Sequence, residues 1–428
     1  MQKKLQDNKF IIGLTVLAAI LFMINFLDRD PAVRWVNSYN TTMLAFSYKY
    51  GLIPRALIGS LYQGLGTVMS AVFGIDMNTM GAVKVTVLTA VICFILLVLH
   101  FAARADRSCM SPVSPEGGGA ARYRYLITFF VIVTVTTFAG YYNFGRVDMF
   151  LVAASLVMTL LIVDEKAVWL VCLICPACEL IHEAYVFMYF NVVLVLLFYR
   201  IVRAYEEKDS NRLKKYTAIL AVTLILTCGI FLYMLIFGNK AGGQEAYDAI
   251  YETARAMVYK GKPHKDLLQA ELLGVNLGDK EWEYHIANFW QLGMFVILYS
   301  PFIAVLATIF IRMFKAFGQD GGRHVILTRL PYIAMAVGAL TTLPLFILKI
   351  DYGRWIYAVI AYYCLMLMAF MMMRDEKVTG AYCSVTARLA QAGRFVPALL
   401  VVYSAVFVPF YDMSIDRIIQ AIYDAFFG

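Results

Sequence analysis

The chain has 428 residues, of which 61% are hydrophobic and only 15% are charged. Soluble domains are about half apolar and about a quarter charged, so this composition excludes an ordinary soluble protein. Runs of about 20 apolar residues recur along the whole length, which is what a helix needs to cross a bilayer. A transmembrane β-barrel would show alternating strands of about ten residues instead. The net charge of +8 does not indicate nucleic-acid binding, because most basic residues fall in short loops.

The sequence predicts an all-α, polytopic integral membrane protein with about eleven transmembrane helices in a single domain, 1–428. The spans fall at about residues 10–27, 82–103, 125–142, 149–163, 167–182, 184–200, 216–237, 289–311, 330–350, 355–373 and 394–410. Basic residues concentrate in the N-terminus and in the loops after the even-numbered spans. The positive-inside rule therefore places the N-terminus inside and the C-terminus outside. Two long loops, 28–81 and 238–287, form the outer face.

Segment 53–74 is apolar enough to suggest a twelfth span. Such a span would invert everything after it and place the basic loops outside, against the positive-inside rule. Its apolar residues follow helical spacing, whereas Ser60, Gln63 and Thr67 share the opposite side. Pro54 suits the start of a helix. We therefore predict an interfacial amphipathic helix at the outer face of the membrane.

Charged residues gather in four sets at or near this predicted outer face. The sets are Asp28 and Asp30 with Arg34; Arg146 with Asp148; Glu179, His182 and Glu183; and Lys349, Asp351 and Arg354. Ionisable residues near the ends of membrane helices are costly unless they are paired or functional. For each set alone, a local ion pair or a side chain reaching the interface is the simpler explanation. Four sets on one face favour a shared polar cavity.

Glu179, His182 and Glu183 have i, i+3 and i+4 spacing, which predicts one stripe of the helix at 167–182. The pattern differs from the zinc-protease motif, because Val186 stands where the second histidine is required. A Glu-x-x-His pattern also occurs in di-iron bundles, but those need two copies and this chain has one. General acid–base chemistry, or orientation of an acceptor, fits these residues better.

The arginines near the outer face indicate an anionic ligand, because guanidinium groups favour phosphate oxygens. Arg146 and Arg354 each follow a glycine, which predicts a close approach of the backbone to a ligand. The neighbouring aromatic residues are explained by a membrane-interface belt or, alternatively, by stacking on a sugar. The candidate substrate-binding residues are Arg34, Arg55, Arg146, Asp148, Asp351, Arg354 and Trp355.

Cys172, Cys175 and Cys178 have a spacing that could place three thiols on one side of a helix. No second cysteine pair or histidine cluster completes a site, so packing between helices is the better explanation. We assign no metal to them. No cofactor is assigned elsewhere, although a divalent cation at Asp30 is left open.

The first span ends in Phe26-Leu27-Asp28-Arg29-Asp30, and a long outer loop with an interfacial helix follows. Together with eleven spans and a short inner N-terminus, this layout resembles the GT-C superfamily of membrane glycosyltransferases. The resemblance covers residues 1 to about 80 and the general arrangement. It implies a polyprenyl-phosphate or polyprenyl-pyrophosphate sugar donor and a catalytic base at Asp28 or Asp30. The arginines and the outer loop 238–287 also resemble O-antigen and capsule polysaccharide polymerases.

These observations predict an inverting glycosyltransferase or polysaccharide polymerase in a bacterial inner (plasma) membrane, with its active site facing outside. The expected partners are a polyprenyl-linked sugar donor, a glycan or lipid acceptor and membrane lipids, but no nucleic acid. Asp28 or Asp30 would act as the base, and Glu179, His182 and Glu183 would complete the catalytic set. The alternative is a transporter or flippase of a lipid-linked or anionic solute, which needs polar groups at the bilayer midplane and commonly shows paired repeats.

Overall fold

The structure is a computed structural model that describes residues 2–27, 37–109, 119–140, 144–238, 243–275, 278–317, 325–348, 351–391 and 396–406. Within these ranges every regular element is a helix, which confirms the all-α prediction. Asp28, Asp30, Arg34 and Lys349 lie outside the described residues. The first half of the chain contains α1 Gln2–Leu27, α2 Ser38–Leu44, α3 Ala56–Phe73, α4 Met80–Cys109, α5 Gly119–Ala139, α6 Asp148–Val163, α7 Val171–Ile181, α8 Tyr185–Met188 and α9 Phe190–Glu206. The second half contains α10 Ser210–Phe237, α11 Gly243–Met257, α12 Lys265–Leu273, α13 Gly278–Phe317, α14 Val325–Val337, α15 Leu343–Leu348, α16 Tyr352–Met372, α17 Glu376–Gln391 and α18 Val396–Val406.

Six segments are long and apolar enough to cross a membrane, which supports an integral membrane protein. They are Ala56–Phe73, Met80–Cys109, Ser210–Phe237, Phe295–Phe317, Leu327–Ile347 and Tyr352–Met372. Large apolar side chains on these helices are exposed, as Ile225 and Leu235 are on α10. A soluble surface would not carry so many, whereas lipid tails would cover them favourably. The predicted spans at 10–27, 125–142, 149–163 and 167–182 correspond to shorter apolar helices, and the count of eleven stays a prediction.

The chain divides into two compact units, which are described separately. One unit comprises Met1–Phe22, Leu99–Thr137 and Glu281–Gly428, and the other comprises Met23–Val98 and Phe138–Lys280. In the first unit almost every residue of α16 is buried, as expected for a helix that is apolar all round. In the second unit α7 packs against α3, α6 and α10, and α9 packs against α6 and α10.

The predicted span at 330–350 is interrupted by a 3₁₀ turn, Gly338–Thr342, between α14 and α15. The turn frees carbonyl groups that a continuous helix would satisfy. The hydroxyl of Tyr362 donates to the carbonyl of Met335 at 3.1 Å, and the hydroxyl of Tyr363 donates to that of Ala336 at 2.8 Å. The break is therefore satisfied by side chains from α16, which a single-sequence pattern does not show.

Helix α17, Glu376–Gln391, lies between the predicted spans 355–373 and 394–410, where the hydrophobic pattern predicts a loop. The carboxylate of Asp375 accepts hydrogen bonds from the backbone N–H groups of Lys377 and Val378, at 3.1 and 2.9 Å, and so caps the first turn. Val378, Tyr382 and Val385 are buried along one side. The helix is too polar for a hydropathy search for spans. The capping aspartate was the available signal.

The predicted interfacial helix is present as α3. Its apolar residues Leu61, Leu65, Val68 and Val72 are exposed. On the polar side, the amide of Gln63 donates to the carbonyl of Leu44 at 3.0 Å. The polar side of α3 therefore packs on the protein at Ser60 and Gln63, whereas Thr67 is exposed, as is the apolar side. Helix α3 is also long enough to cross a membrane, so its interfacial position stays a prediction.

Candidate active site

The clearest group of interacting charged residues in the second unit is built by three stretches of chain that are far apart in sequence. The loop between α2 and α3 supplies Arg55, and α2 supplies Tyr39. The segment after α7 supplies Glu183, and α12 supplies Glu271. We call these four residues the Arg55 cluster. Both predicted outer loops contribute to it, because 28–81 contains Tyr39 and Arg55 and 238–287 contains Glu271.

The guanidinium of Arg55 is the centre of the cluster. Its Nε atom donates to both carboxylate oxygens of Glu183, at 2.9 and 3.1 Å, and its Nη2 atom also bonds to this carboxylate. Its Nη1 atom donates to the hydroxyl of Tyr39 at 3.0 Å and lies 3.3 Å from Oε1 of Glu271. Arg55 thus serves two carboxylates. The bidentate geometry with Glu183 is the stronger kind.

The backbone of Arg55 adopts a left-handed conformation with φ 62° and ψ 12°, immediately before α3 begins. A residue with a Cβ atom pays about 1–2 kcal/mol for this conformation, and such strain persists only where surrounding contacts impose it. The ion pairs of the side chain are contacts of that kind. The strain follows from an observed dihedral angle and marks this position as a constrained one.

Glu183 is the more accessible partner of this ion pair, since its side chain is 35% exposed while that of Arg55 is 14% exposed. Burial opposes its ionisation, but the positive charge of Arg55, with a smaller effect of His182, holds the pKa of Glu183 well below its usual range. The carboxylate is therefore ionised at neutral pH. It can accept hydrogen bonds from a ligand on its open side.

The predicted stripe of Glu179, His182 and Glu183 is wrong, because α7 ends at Ile181. His182 has φ −162° and ψ 124°, which is extended backbone, so helical spacing no longer applies beyond it. The Nδ1 atom of His182 accepts from the backbone N–H of Ala184 at 3.1 Å. A neutral imidazole in this arrangement carries its proton on Nε2. Nδ1 also lies 3.4 Å from the Glu183 carboxylate.

Glu179 remains within α7 and is buried, with 1% of the residue exposed. Among the described residues, its two carboxylate oxygens make no hydrogen bond of normal geometry, although the backbone N–H of Val186 approaches them. Glu179 and Glu183 therefore differ in environment despite their spacing. One carboxyl group is enclosed by the helices and the other is held at an accessible position by Arg55.

Arg146 and Asp148 form an ion pair at the start of α6, with Nε 3.2 Å from Oδ2. The side chains are 11% and 5% exposed. Gly145 precedes them with φ +77°, and a Cβ atom there would lie 2.5 Å from Cγ1 of Val87. We expected this glycine to let the backbone approach a ligand. In the structure this glycine permits a left-handed turn packed against α4. The close approach to a ligand stays a prediction.

Tyr39 connects this ion pair to the Arg55 cluster. The Arg146 guanidinium lies 5.5 Å from the centre of the Tyr39 ring, within range of a cation–π contact. The ring of His264 meets the same tyrosine edge-on, with centroids 5.3 Å apart. Burial lowers the pKa of His264. His264 is tethered by its backbone N–H, which donates to the hydroxyl of Thr42 at 3.0 Å.

Asp351, Arg354 and Trp355 belong to the other compact unit. Nη1 of Arg354 donates to Oδ2 of Asp351 at 2.6 Å, and its guanidinium lies 4.7 Å from the Trp355 ring. Gly353 lies within the first turn of α16, and its role in a close approach of the backbone to a ligand stays a prediction. Arg146 and Arg354 are thus each paired with a carboxylate from their own segment.

Tyr39, His264 and Glu271 were not predicted from the sequence as site residues. Glu271 lies on a short helix whose buried residues Leu267, Leu268 and Leu272 fit ordinary packing. Its ion pair with Arg55 arises where the two loops meet, and a contact between distant loops leaves no local pattern in the sequence. Within the described ranges, no three His, Cys, Asp or Glu side chains are grouped to hold a metal ion.

Comparisons with the models of protein families, with curated proteins and with solved structures find nothing that matches this chain. The chemistry of the site therefore has to be argued from its own residues. It offers an accessible ionised carboxylate, an imidazole, two guanidinium groups and a tyrosine hydroxyl. Such a set can bind a polyhydroxylated or anionic ligand and position groups for proton transfer.

Proposed function

We propose that this chain is a membrane-embedded glycosyltransferase or polysaccharide polymerase. It transfers a sugar from a polyprenyl-phosphate or polyprenyl-pyrophosphate donor to a glycan or lipid acceptor at the extracytoplasmic face. The observation that carries the proposal is the Arg55 cluster, since both predicted outer loops and the end of an apolar helix contribute charged residues to one place. Purely structural loops would not need a strained arginine with two carboxylate partners.

The proposal includes the predicted topology of eleven spans in a bacterial inner membrane, with the N-terminus inside. In that topology the cluster faces the outside, where lipid-linked sugars are used. The low pKa of Glu183 and its partial exposure support a role in binding the hydroxyl groups of the acceptor sugar. His182 lies beside it and is placed to hold a proton on Nε2.

In the proposed step, the acceptor hydroxyl oxygen attacks the anomeric carbon of the donor sugar. The bond from this carbon to the phosphate oxygen breaks, and polyprenyl phosphate or pyrophosphate leaves as an anion. A carboxylate base takes the hydroxyl proton. The GT-C resemblance assigns that role to Asp28 or Asp30, and we favour Asp28 because span 1 ends there and can aim its side chain.

A transporter of a lipid-linked or anionic solute is the alternative. Such proteins place polar groups near the bilayer midplane, commonly in paired broken helices. The cluster is instead assembled from loops and from the end of α7. This composition is better suited to a reaction at the membrane surface than to passage across the membrane.

The test is a turnover assay on the full chain in nanodiscs, supplied with a panel of polyprenyl-pyrophosphate-linked sugars and short glycan acceptors. Mass spectrometry of co-purified lipids guides the choice of donor. We expect transfer by the wild type and a loss of about 10²–10⁴ in rate for Asp28→Asn. Glu183→Gln should also lose activity, whereas Glu252→Gln, an exposed carboxylate on α11, should not.

Full activity in the Asp28→Asn, Asp30→Asn double variant would contradict the carboxylate base. Movement of the lipid-linked sugar across proteoliposomes without any transfer product would favour the transporter instead.

A further inference from the structure

Arg55 holds its two carboxylates unequally. Glu183 takes both Nε and Nη2, so it occupies one full edge of the guanidinium. Glu271 lies 3.3 Å from Nη1, an atom that also donates to the hydroxyl of Tyr39. The single positive charge of Arg55 faces two negative carboxylates, so one negative charge is not balanced within this group. A competing anion can displace Glu271, because Arg55 holds it more weakly than it holds Glu183.

Glu271 lies on a short helix that packs against α11. Helix α12 is nine residues long and lies between Gly261 and Gly274, which both adopt positive φ angles, 62° and 63°. It is held to the protein by Leu267, Leu268 and Leu272 and, at its start, by the bond from His264 to Thr42. Glu271 stands near the opposite end of the helix from that bond. A small movement of this end separates it from Arg55.

We propose that the Nη1 edge of Arg55 is a binding position for a phosphate group, and that Glu271 occupies this position until the ligand displaces it. The inference rests on the proposed function, in which the phosphate is that of the polyprenyl-linked donor. Guanidinium groups recognise carboxylate and phosphate oxygens with the same fork geometry, so a carboxylate at this edge is an internal competitor for phosphate.

The surroundings of Nη1 suit a phosphate better than a second carboxylate. The Tyr39 hydroxyl accepts from Arg55 and keeps its own proton, which it can donate to a phosphate oxygen. Arg146, which is paired with Asp148, lies 5.5 Å from the centre of the same tyrosine ring and brings a second guanidinium close to the position. Departure of Glu271 removes one negative charge from beside Arg55. The Nη1 edge of Arg55 is then open to an anion with several oxygens, such as phosphate.

An internal competitor lowers the apparent affinity for the ligand by the fraction of molecules in which the position is free. Removing the Glu271 charge should therefore strengthen binding of phosphate compounds. Displacement also couples ligand binding to movement of α12, which belongs to the predicted outer loop 238–287. A ligand that gains affinity elsewhere, as a lipid-linked phosphate does in the membrane, is best able to displace Glu271.

The experiment measures binding by calorimetry on the full chain in phosphatidylcholine nanodiscs. The probes are inorganic pyrophosphate in solution and polyprenyl monophosphate in the nanodisc. Glu271→Gln should bind at least one of them about tenfold more tightly than the wild type, because a charge-assisted bond becomes available. A gain for the polyprenyl compound alone identifies a lipid headgroup, and a gain for both identifies a general phosphate position. Glu252→Gln, on the neighbouring α11, should leave both affinities unchanged.

Adding Arg55→Lys to Glu271→Gln should abolish the gain, since lysine lacks the fork. Glu271→Ala should behave like Glu271→Gln and covers the case in which glutamine disturbs α12. Unchanged or weaker binding in both Glu271 variants would overturn the inference, as would a gain that survives Arg55→Lys. Sugar transfer does not enter this measurement. Tighter binding without any turnover would leave the inference standing and count against the proposed function, while turnover with unchanged affinities would do the reverse.

Discussion

The Nε atom of Arg55 lies 2.9 Å from Oε2 and 3.1 Å from Oε1 of Glu183, a residue 128 positions later in the chain. The pair joins the loop before α3 to the segment after α7, and helices α3 and α7 are themselves in contact. One guanidinium and one carboxylate thereby fix the start of α3 to the segment that follows α7.

We expect Arg55→Gly to be more stable than Arg55→Ala. Both variants lose the ion pairs, but glycine adopts the left-handed conformation at φ 62° without the cost that alanine pays, about 1 kcal/mol or somewhat more. Thermal unfolding of the two detergent-purified variants, followed by intrinsic fluorescence, measures the difference. The exposed Arg255, in the last turn of α11, serves as the matched control, because Arg255→Gly should be less stable than Arg255→Ala where the backbone is helical. Equal stability of the two Arg55 variants would show that the backbone carries no strain there.

The contribution of Glu183 to stability should depend on pH. Its pKa in the folded protein is lowered by Arg55, so the ionised carboxylate stabilises the fold at pH values above the ordinary carboxyl pKa of about 4.3. That stabilisation is lost as the pH falls below this value towards the lowered pKa. The difference in melting temperature between wild type and Glu183→Gln should thus be constant from about pH 8 to about pH 5 and shrink below about pH 4. His182, Glu179 and Glu271 are the other ionisable groups close to this ion pair, and they are present in both the wild type and the variant. A difference that grows on acidification would contradict the assignment.

Gly145→Ala should destabilise the turn that presents Arg146. Alanine pays about 1–2 kcal/mol for the positive φ, and its Cβ would meet Val87 at 2.5 Å. Gly64→Ala, on α3, is the control, because nothing lies within 4 Å of an added Cβ there. Melting temperatures should fall for the first variant and stay level or rise for the second. If Gly145→Ala is tolerated as well as the control, the turn does not depend on glycine.

The proposed orientation makes a prediction about labelling. A cysteine at Ser210, the first residue of α10, should be protected from a membrane-impermeant thiol reagent in intact cells, and one at Lys265, the first residue of α12, should react. Both positions are exposed, so both should react after lysis. Labelling of the unaltered chain provides the background from its own cysteines. The opposite pattern would reverse the orientation and place the Arg55 cluster inside.

Hydrophobic pattern predicted the parts of this molecule that depend on local sequence. The apolar run at 355–373 corresponds to α16, and Pro54 with Gly74 delimits α3, whose last turn ends at a glycine with φ 67°. The pattern extended the helix at 167–182 one residue too far, because nothing in the residue types there distinguishes helical from extended backbone at His182. That single residue decided the error about the catalytic stripe.

The candidate site was predictable only in part. Glu183, His182 and Arg55 stand out in the sequence because charge is rare beside apolar runs. Their partners Tyr39 and Glu271 do not stand out, since tyrosines are frequent in this chain and Glu271 lies in a polar loop. The arrangement depends on two loops meeting across a large sequence separation. Information of that kind is carried by packing and not by spacing.

The outward apolar side of α3 has a consequence for the depth at which Arg55 lies. Leu61, Leu65, Val68 and Val72 are exposed on a helix that begins one residue after Arg55. In the predicted interfacial position of α3, their preference for hydrocarbon would set the height of the arginine above the bilayer centre. Bilayers of different thickness shift such a helix at a cost of fractions of a kcal/mol per Å. The length of the lipid chains would thereby change the depth of Arg55. The protein should then be most active in membranes whose thickness matches the exposed apolar side of α3.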